Sequence, residues 1–174
     1  MAAASPASVP LRDIAFAVAV ATVLADSSVV ILALPDILGQ FDTTVARVAW
    51  VLTAFNLVLA AAAVPAAYLA RRHATAVFAV GLVVFAGASL WCALAGDLTT
   101  LLVARGVQAL GGAGVACAAL EVMTATAASE AVASRRWAAA GVIGMAVGPA
   151  IGGALTELLS WQAIFVAQVP VLLV

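Results

Sequence analysis

The chain has no lysine and few charged residues of any kind. All seven of its basic residues are arginines, charged residues make up 9% of the 174 positions, and the net charge is −1. Soluble domains average about 25% charged residues. So few charges cannot cover a surface that faces water, and a near-neutral chain without lysine offers no basic face for nucleic acid.

Histidine and cysteine are also scarce, which removes the usual elements of an enzyme site. His73 is the single histidine, no metal-ligand spacing surrounds it, and no nucleophile has a base in evident reach. Cys92 and Cys117 lie in apolar runs at predicted opposite faces of a bilayer, so they are not expected to form a disulfide. We therefore expect no enzyme activity, no catalytic residue, no metal and no cofactor.

Apolar residues are abundant instead. They make up 67% of the chain, against about 45–50% in soluble domains, so the sequence predicts an all-α integral membrane protein. The predicted division is a cytoplasmic tail, 1–13, and a transmembrane domain, 14–174. Because a spanning helix needs about 20 apolar residues, five complete helices and the start of a sixth are predicted. They cover residues 14–34, 48–69, 76–95, 98–120, 137–155 and 163–174.

Arginine is distributed unevenly between the predicted connections. Five arginines precede helix one or fall between helices two and three or helices four and five, whereas Arg47 is alone in the opposite set. Cytoplasmic loops carry the excess of arginine in membrane proteins. The N-terminus is therefore predicted to be cytoplasmic, in a multi-pass protein of the cell membrane. The five arginines are Arg12, Arg71, Arg72, Arg135 and Arg136.

Two charged residues fall inside predicted spans, where a charge is costly and marks a candidate functional site. Asp26 in helix one and Arg105 in helix four each lie about 12 Å from the outer end of their helix. Three roles remain open: a static ion pair that determines packing, a carboxylate that takes up and releases a proton as the arginine moves, or direct contact with a substrate.

Two amides inside the spans are further candidates for a substrate path. Gln108 shares a helix face with Arg105, so it could hold the arginine or line a cavity. Asn56 lies in the middle of helix two, where an interhelical hydrogen bond is the alternative role.

Predicted helix five contains the segment "GVIGMAVGPAIGGALT", residues 141–156, which is rich in glycine. Small residues at four-residue spacing form a stripe against which another helix can pack closely in lipid. Pro149 removes one backbone donor and is expected to bend the helix. Spacing alone leaves open whether this stripe is a static seam or a contact that slides. The stripe comprises Ala140, Gly144, Gly148 and Gly152.

Three segments together resemble the motifs of one transporter family, the major facilitator superfamily. "ADSSVVILALPDI" resembles the first-helix motif of its drug:proton antiporters, and "RGVQALGGAG" resembles its fourth-helix motif. "GVIGMAVGPAIGG" resembles the antiporter motif of its fifth helix. The residues that match the antiporter motif are Gly144, Gly148, Pro149, Gly152 and Gly153.

The resemblance implies the N-terminal six-helix half of a major facilitator fold. It implies a proton-coupled antiporter that exports drug-like or amphipathic small molecules, with Asp26 and Arg105 in proton coupling. The partners implied are protons, a small-molecule substrate, the lipid bilayer and a missing C-terminal half. The alternative is a truncated or decayed membrane fragment that does not transport and at most associates with partner helices.

The connection after helix two departs from the family's motif. In "AYLARRHATA" Leu69 matches, but Arg71 occupies the position of an aspartate and Arg72 follows it. In the family this loop latches the cytoplasmic side through charge interactions. The charge reversal at Arg71 therefore puts that latch, and transport with it, in question.

Overall fold

A computed structural model describes residues 11–172, and these residues fold into helices joined by short turns. No strand occurs within this range, in agreement with the all-α prediction. Residues 1–10 of the predicted tail and residues 173–174 of the predicted sixth helix lie outside the described residues. The seven helices of residues 11–172 are α1 (Leu11–Ile31), α2 (Leu34–Gln40), α3 (Val45–Val48), α4 (Trp50–Ala93), α5 (Leu98–Thr126), α6 (Glu130–Leu158) and α7 (Trp161–Val171).

Four apolar helical segments among the described residues are long enough to cross a bilayer. One of them, Val45–Ala93, contains α4, whose 44 residues would reach about 66 Å as a straight helix. That is about twice the thickness of a hydrocarbon core. The helix is interrupted at His73, whose backbone is not helical (φ −140°, ψ 46°), so α4 consists of two limbs, residues 50–72 and 74–93.

Contacts with α5 show that the two limbs of α4 run in opposite directions. On the first limb, later residues contact later residues of α5: the pairs are Val51 with Arg105 and Ala63 with Cys117. On the second limb the order is reversed: the pairs are Gly81 with Val115 and Ser89 with Gln108. The limbs therefore form a helical hairpin, with α5 packed against both.

Several helices begin or end away from the predicted positions. The predicted first helix ends at residue 34, whereas α1 ends at Ile31, because Pro35 has no N–H to continue the hydrogen-bond ladder. The predicted fourth helix ends at residue 120, whereas α5 continues to Thr126. A run of apolar residues marks only the part of a helix that lies in lipid. The helix itself continues beyond that run into polar residues.

The fifth predicted helix begins at residue 137, whereas α6 begins at Glu130. The Ser129 side chain accepts a hydrogen bond from the Val132 backbone N–H at 3.3 Å and so caps an earlier start. Arg135 and Arg136, which the sequence placed in a connection, therefore lie inside α6. Only residues 127–129 separate α5 from α6.

The glycine stripe of α6 lies directly against α1. A Cβ atom added at Gly144 or Gly152 would overlap a backbone carbonyl of α1, that of Ala21 or Val29. One added at Gly148 would overlap the Ser28 hydroxyl. This close approach, which only glycine permits, joins α1 to α6 through backbone contact along several turns. The helix is continuous through Pro149.

Asp97 caps α5, and its charge makes this cap dependent on pH. Its carboxylate accepts hydrogen bonds from the Thr100 hydroxyl at 2.7 Å and the Thr100 N–H at 2.9 Å. These bonds favour the ionised form and lower the pKa of Asp97 below its ordinary value.

We expect this cap to stabilise the protein at neutral pH and to weaken in acid. Because the folded pKa is lowered, the contribution is complete above the ordinary pKa of aspartate and is lost as the pH falls through the lowered value. Melting temperatures of wild type and Asp97→Ala, measured from neutral to acidic pH, should differ most at neutral pH and converge in acid. A difference that grows toward acid would contradict this reading of the cap.

Candidate functional site

Asp26 and Arg105, the two charges predicted within the spans, form a fully buried ion pair. Asp26 lies on α1 and Arg105 on α5, and neither side chain is exposed. Arg105 Nη1 donates directly to Asp26 Oδ2. The sequence placed both at the same depth, and the packing of α1 against α5 brings them together.

Gln108, one turn after Arg105 on α5, contacts both members of the pair. Its Oε1 accepts from Arg105 Nη1 at 2.6 Å, and its Nε2 lies 3.3 Å from Asp26 Oδ1. The side chain is fully buried. Gln108 therefore holds the orientation of the arginine towards the carboxylate.

Two further polar residues belong to the cluster, and neither was predicted from the sequence. Gln168 on α7 donates its Nε2 to Asp26 Oδ1 at 2.7 Å. Ser89 on the second limb of α4 lies between the two glutamines: Gln108 Nε2 is 2.8 Å from its Oγ, and Gln168 Oε1 is 3.1 Å from it. A search for every amide and hydroxyl in apolar runs would have found them, although nothing in the sequence indicates their partners.

The guanidinium of Arg105 is enclosed by aromatic rings and backbone. Its Nε donates to the Val51 carbonyl at 3.2 Å. Its Cζ lies 4.1 Å from the centre of the Phe55 ring and 5.7 Å from that of Phe165, so both ring faces favour the cation. Nη2 has no hydrogen-bond partner among the described residues.

Asp26 is surrounded by hydrogen-bond donors from two other helices. When ionised, the carboxylate accepts from Arg105 and from two glutamine amides, which balances its charge in a dry interior. Within residues 11–172 no group of three His, Cys, Asp or Glu side chains converges to hold a metal ion.

Asn56, the other substrate-path candidate, lies outside this cluster. Its Oδ1 accepts from the Ser27 hydroxyl at 3.0 Å, and its Nδ2 donates to the Leu52 carbonyl at 3.0 Å. The side chain is exposed on the surface of the described residues. Its contacts connect α1 to α4 and do not reach Asp26.

The charge-reversed segment after the predicted second helix lies at the bend of α4. Arg71 Nε is 3.9 Å from Glu121 Oε1 near the end of α5, and both side chains are well exposed. The Arg72 guanidinium lies 5.1 Å from the centre of the Tyr68 ring. Leu69 is half exposed. The arginine in the aspartate position thus pairs with an acid on the neighbouring helix, although exposed pairs of this kind contribute little stability.

Comparison with known proteins adds the family. The family model described as Major Facilitator Superfamily matches residues 16–174. The chain belongs to the major facilitator superfamily. The helices, the buried pair and the glycine seam described above are therefore those of a major facilitator protein, and the predicted all-α membrane fold of that family is confirmed.

Three curated superfamily relatives match most of this chain. It is 30% identical over 150 residues to the methylenomycin A resistance protein of Bacillus subtilis, with 84% of this chain and 32% of that protein covered. It is 34% identical to an uncharacterized transporter of the superfamily from Mycobacterium tuberculosis (86% and 26% covered). It is 31% identical to the multidrug efflux pump LfrA of Mycolicibacterium smegmatis (85% and 30% covered). The chain spans about a third or less of the length of these relatives.

Solved structures agree on the major facilitator fold. A bacterial homolog of the human lysosomal transporter Spinster, in an inward-facing and unoccupied conformation, matches with a TM-score of 0.79 at 21% identity. The match covers 92% of this chain and 40% of that one. The occupied inward-facing form matches with a TM-score of 0.80, covering 95% and 43%. At this identity the likeness shows the fold alone.

Proposed function

We propose that these residues form the N-terminal half of a proton-coupled antiporter that exports drug-like or amphipathic small molecules. The half works with a second six-helix half, and the substrate path runs between them. Asp26 carries the proton, Arg105 balances its charge, and Gln108 holds the arginine. The single observation that carries the proposal is the fully buried pair of Asp26 and Arg105, with the Phe55 ring against the guanidinium.

The chemistry of the pair supports proton coupling. A carboxylate at membrane depth is costly unless it is paired or neutral. Asp26 can be either, because protonation removes its charge and frees Arg105 for another acceptor. Since α1 and α5 hold one partner each, the two protonation states favour different positions of these helices. Binding and release of a proton at Asp26 thereby drive the conformational change that opens the substrate path to one side of the membrane and then to the other.

The names of the relatives support the substrate class. One relative is a resistance protein for methylenomycin A, and another is a multidrug efflux pump. From these names we include the export of drug-like compounds in the function proposed for this chain.

The distribution of arginine supports a cytoplasmic N-terminus in the cell membrane. The Arg136 guanidinium lies 3.1 Å from the Asp13 carboxylate, so the start of α6 lies beside the start of α1. Arg71 lies beside Glu121 near the end of α5. Because α5 ends where α6 begins, these arginines gather at one end of the bundle, which the positive-inside rule assigns to the cytoplasm.

Asp26→Asn is expected to abolish proton-driven efflux and leave the protein in the membrane. The asparagine oxygen can still accept from Arg105, but the side chain no longer takes up or releases a proton. The protein, as its cell produces it, is reconstituted in vesicles with an imposed pH gradient. Efflux of a fluorescent lipophilic cation is then followed with and without the substitution.

Asp42→Asn is the matched control for this measurement. Asp42 is exposed, and its positive φ of 43° is one that asparagine tolerates. This variant should retain wild-type efflux. Wild-type efflux in Asp26→Asn would reduce Asp26 to a packing residue and remove the coupling proposal. Absence of efflux from the wild type would favour the alternative, a membrane protein that does not transport.

A further inference from the structure

Gln168 occupies a position that the ion pair does not explain. It lies on α7, is 7% exposed, and donates to the oxygen of Asp26 that Arg105 leaves free. Its own oxygen accepts from the Gln108 amide at 2.9 Å and lies 3.1 Å from the Ser89 hydroxyl. The amide is therefore held with its nitrogen towards the carboxylate.

The other side of Gln168 faces a groove of about 140 Å³ between α1, α6 and α7. The groove is largely apolar, with Ala25 from α1, Ile151 from α6 and Ile164 from α7 in its walls. Thr22 also lines it, but its hydroxyl donates to the Val18 carbonyl. Asp26 itself does not line the groove and is fully buried. Gln168 thus both lines the groove and contacts the carboxylate.

We propose that Gln168 is a positioning residue that covers Asp26 and controls access to it from this groove. While its amide donates to Asp26, the side chain fills the path between the groove and the carboxylate. When the side chain turns away, water or a proton carrier in the groove reaches Asp26 Oδ1. This inference deepens the proposed function and rests on it for the coupling step, whereas the contact of Gln168 with Asp26 and its place in the groove wall are observed.

The surroundings of Asp26 leave few competing groups. Arg105 on α5 is the charged group that faces it, and the Cys92 thiol on α4 is a second titratable group, 3.7 Å from Gln108 Oε1. From α7 the polar group is the uncharged Gln168, and α6 faces this part of α1 with glycines. Gln168 therefore controls access of water or a proton carrier to one acid, Asp26, and not to a chain of acids.

The experiment measures how fast a hydrophobic carbodiimide modifies Asp26. The reagent adds to a protonated carboxyl group: the acid oxygen bonds to the central carbon, the proton moves to a nitrogen, and no atom leaves. The protein in lipid vesicles is treated with dicyclohexylcarbodiimide across a range of pH. The modified peptides are then quantified by mass spectrometry. Asp26→Asn identifies the peptide signal that belongs to this residue.

Gln168→Ala is expected to accelerate the modification of Asp26 by about tenfold or more, because it opens the groove and removes a hydrogen bond to a charged group. Gln162→Ala is the matched control, since Gln162 lies on the same helix and contacts Gln40 at 3.3 Å, away from the cluster. Asp13, the other buried acid, serves as an internal control for general loosening. Its modification rate should stay at the wild-type value.

An unchanged rate at Asp26 in Gln168→Ala, or an equal increase at Asp26 and Asp13, would overturn the proposal. If the alanine variant does not fold, Gln168→Asn retains the amide with one methylene fewer and should give a smaller acceleration, again confined to Asp26. Labelling requires no transport. Wild-type efflux in Asp26→Asn would remove the coupling role of Asp26, while the labelling rates would still decide whether Gln168 covers it.

Discussion

Arg105→Met is expected to destabilise the protein by about 3–5 kcal/mol, because it leaves Asp26 as an unpaired charge in a dry interior. The methionine fills similar space but donates nothing to Asp26, to Gln108 or to the Val51 carbonyl. The favourable contact of the cation with the Phe55 ring is also lost. Denaturant titration in detergent, followed by the fluorescence of the four tryptophans, measures the loss.

A double substitution separates the buried charge from the lost packing. Adding Asp26→Asn to Arg105→Met removes the unpaired carboxylate, so the double variant should be more stable than Arg105→Met alone. The interaction energy from the complete cycle measures the coupling of the pair. Arg47→Met, at an exposed arginine, should change stability by no more than about 0.5 kcal/mol. Additive effects of Asp26→Asn and Arg105→Met would contradict the pair as described.

Gly144→Ala is expected to destabilise the protein by about 1–3 kcal/mol, the range for overpacking a close contact. The added methyl group would overlap the Ala21 carbonyl, which belongs to the backbone of α1 and cannot rotate aside. The helices must therefore move apart, and this separation also weakens the contacts of Gly148 and Gly152 with α1. The same titration in detergent measures the effect.

Gly106→Ala provides the matched control on α5. Beyond its chain neighbours and the backbone of its own helix, a Cβ atom there would meet no atom of the described residues within 4 Å. Alanine is favoured over glycine in a helix by about 1 kcal/mol, so this variant should be as stable as wild type or more so. Equal destabilisation by Gly144→Ala and Gly106→Ala would show that the seam does not depend on close approach.

Asp26, Arg105 and Gln108 could be predicted as site residues from the sequence, whereas Gln168 and Ser89 could not. Asp26 and Arg105 stand out because a charge inside an apolar run has few roles other than a functional or paired one. Gln168 and Ser89 do not stand out, since amides and hydroxyls are common in membrane helices and also bond to their own backbone, as Ser89 does with Phe85. Their roles arise from the hairpin of α4 and from the placement of α7 beside Asp26.

Composition and motifs were enough to predict that the chain lies in a lipid bilayer, that it is helical and to which family it belongs. The composition excludes a surface that faces water. A helix is favoured in lipid because it satisfies the hydrogen bonds of its own backbone. The order of the motifs along the chain identifies a major facilitator protein. The bend of α4 at His73 and the contacts of Gln168 and Ser89 around Asp26 are features of the tertiary structure. The cluster around Asp26 depends on which polar atoms meet across helices, and hydrophobic periodicity carries no information about such contacts.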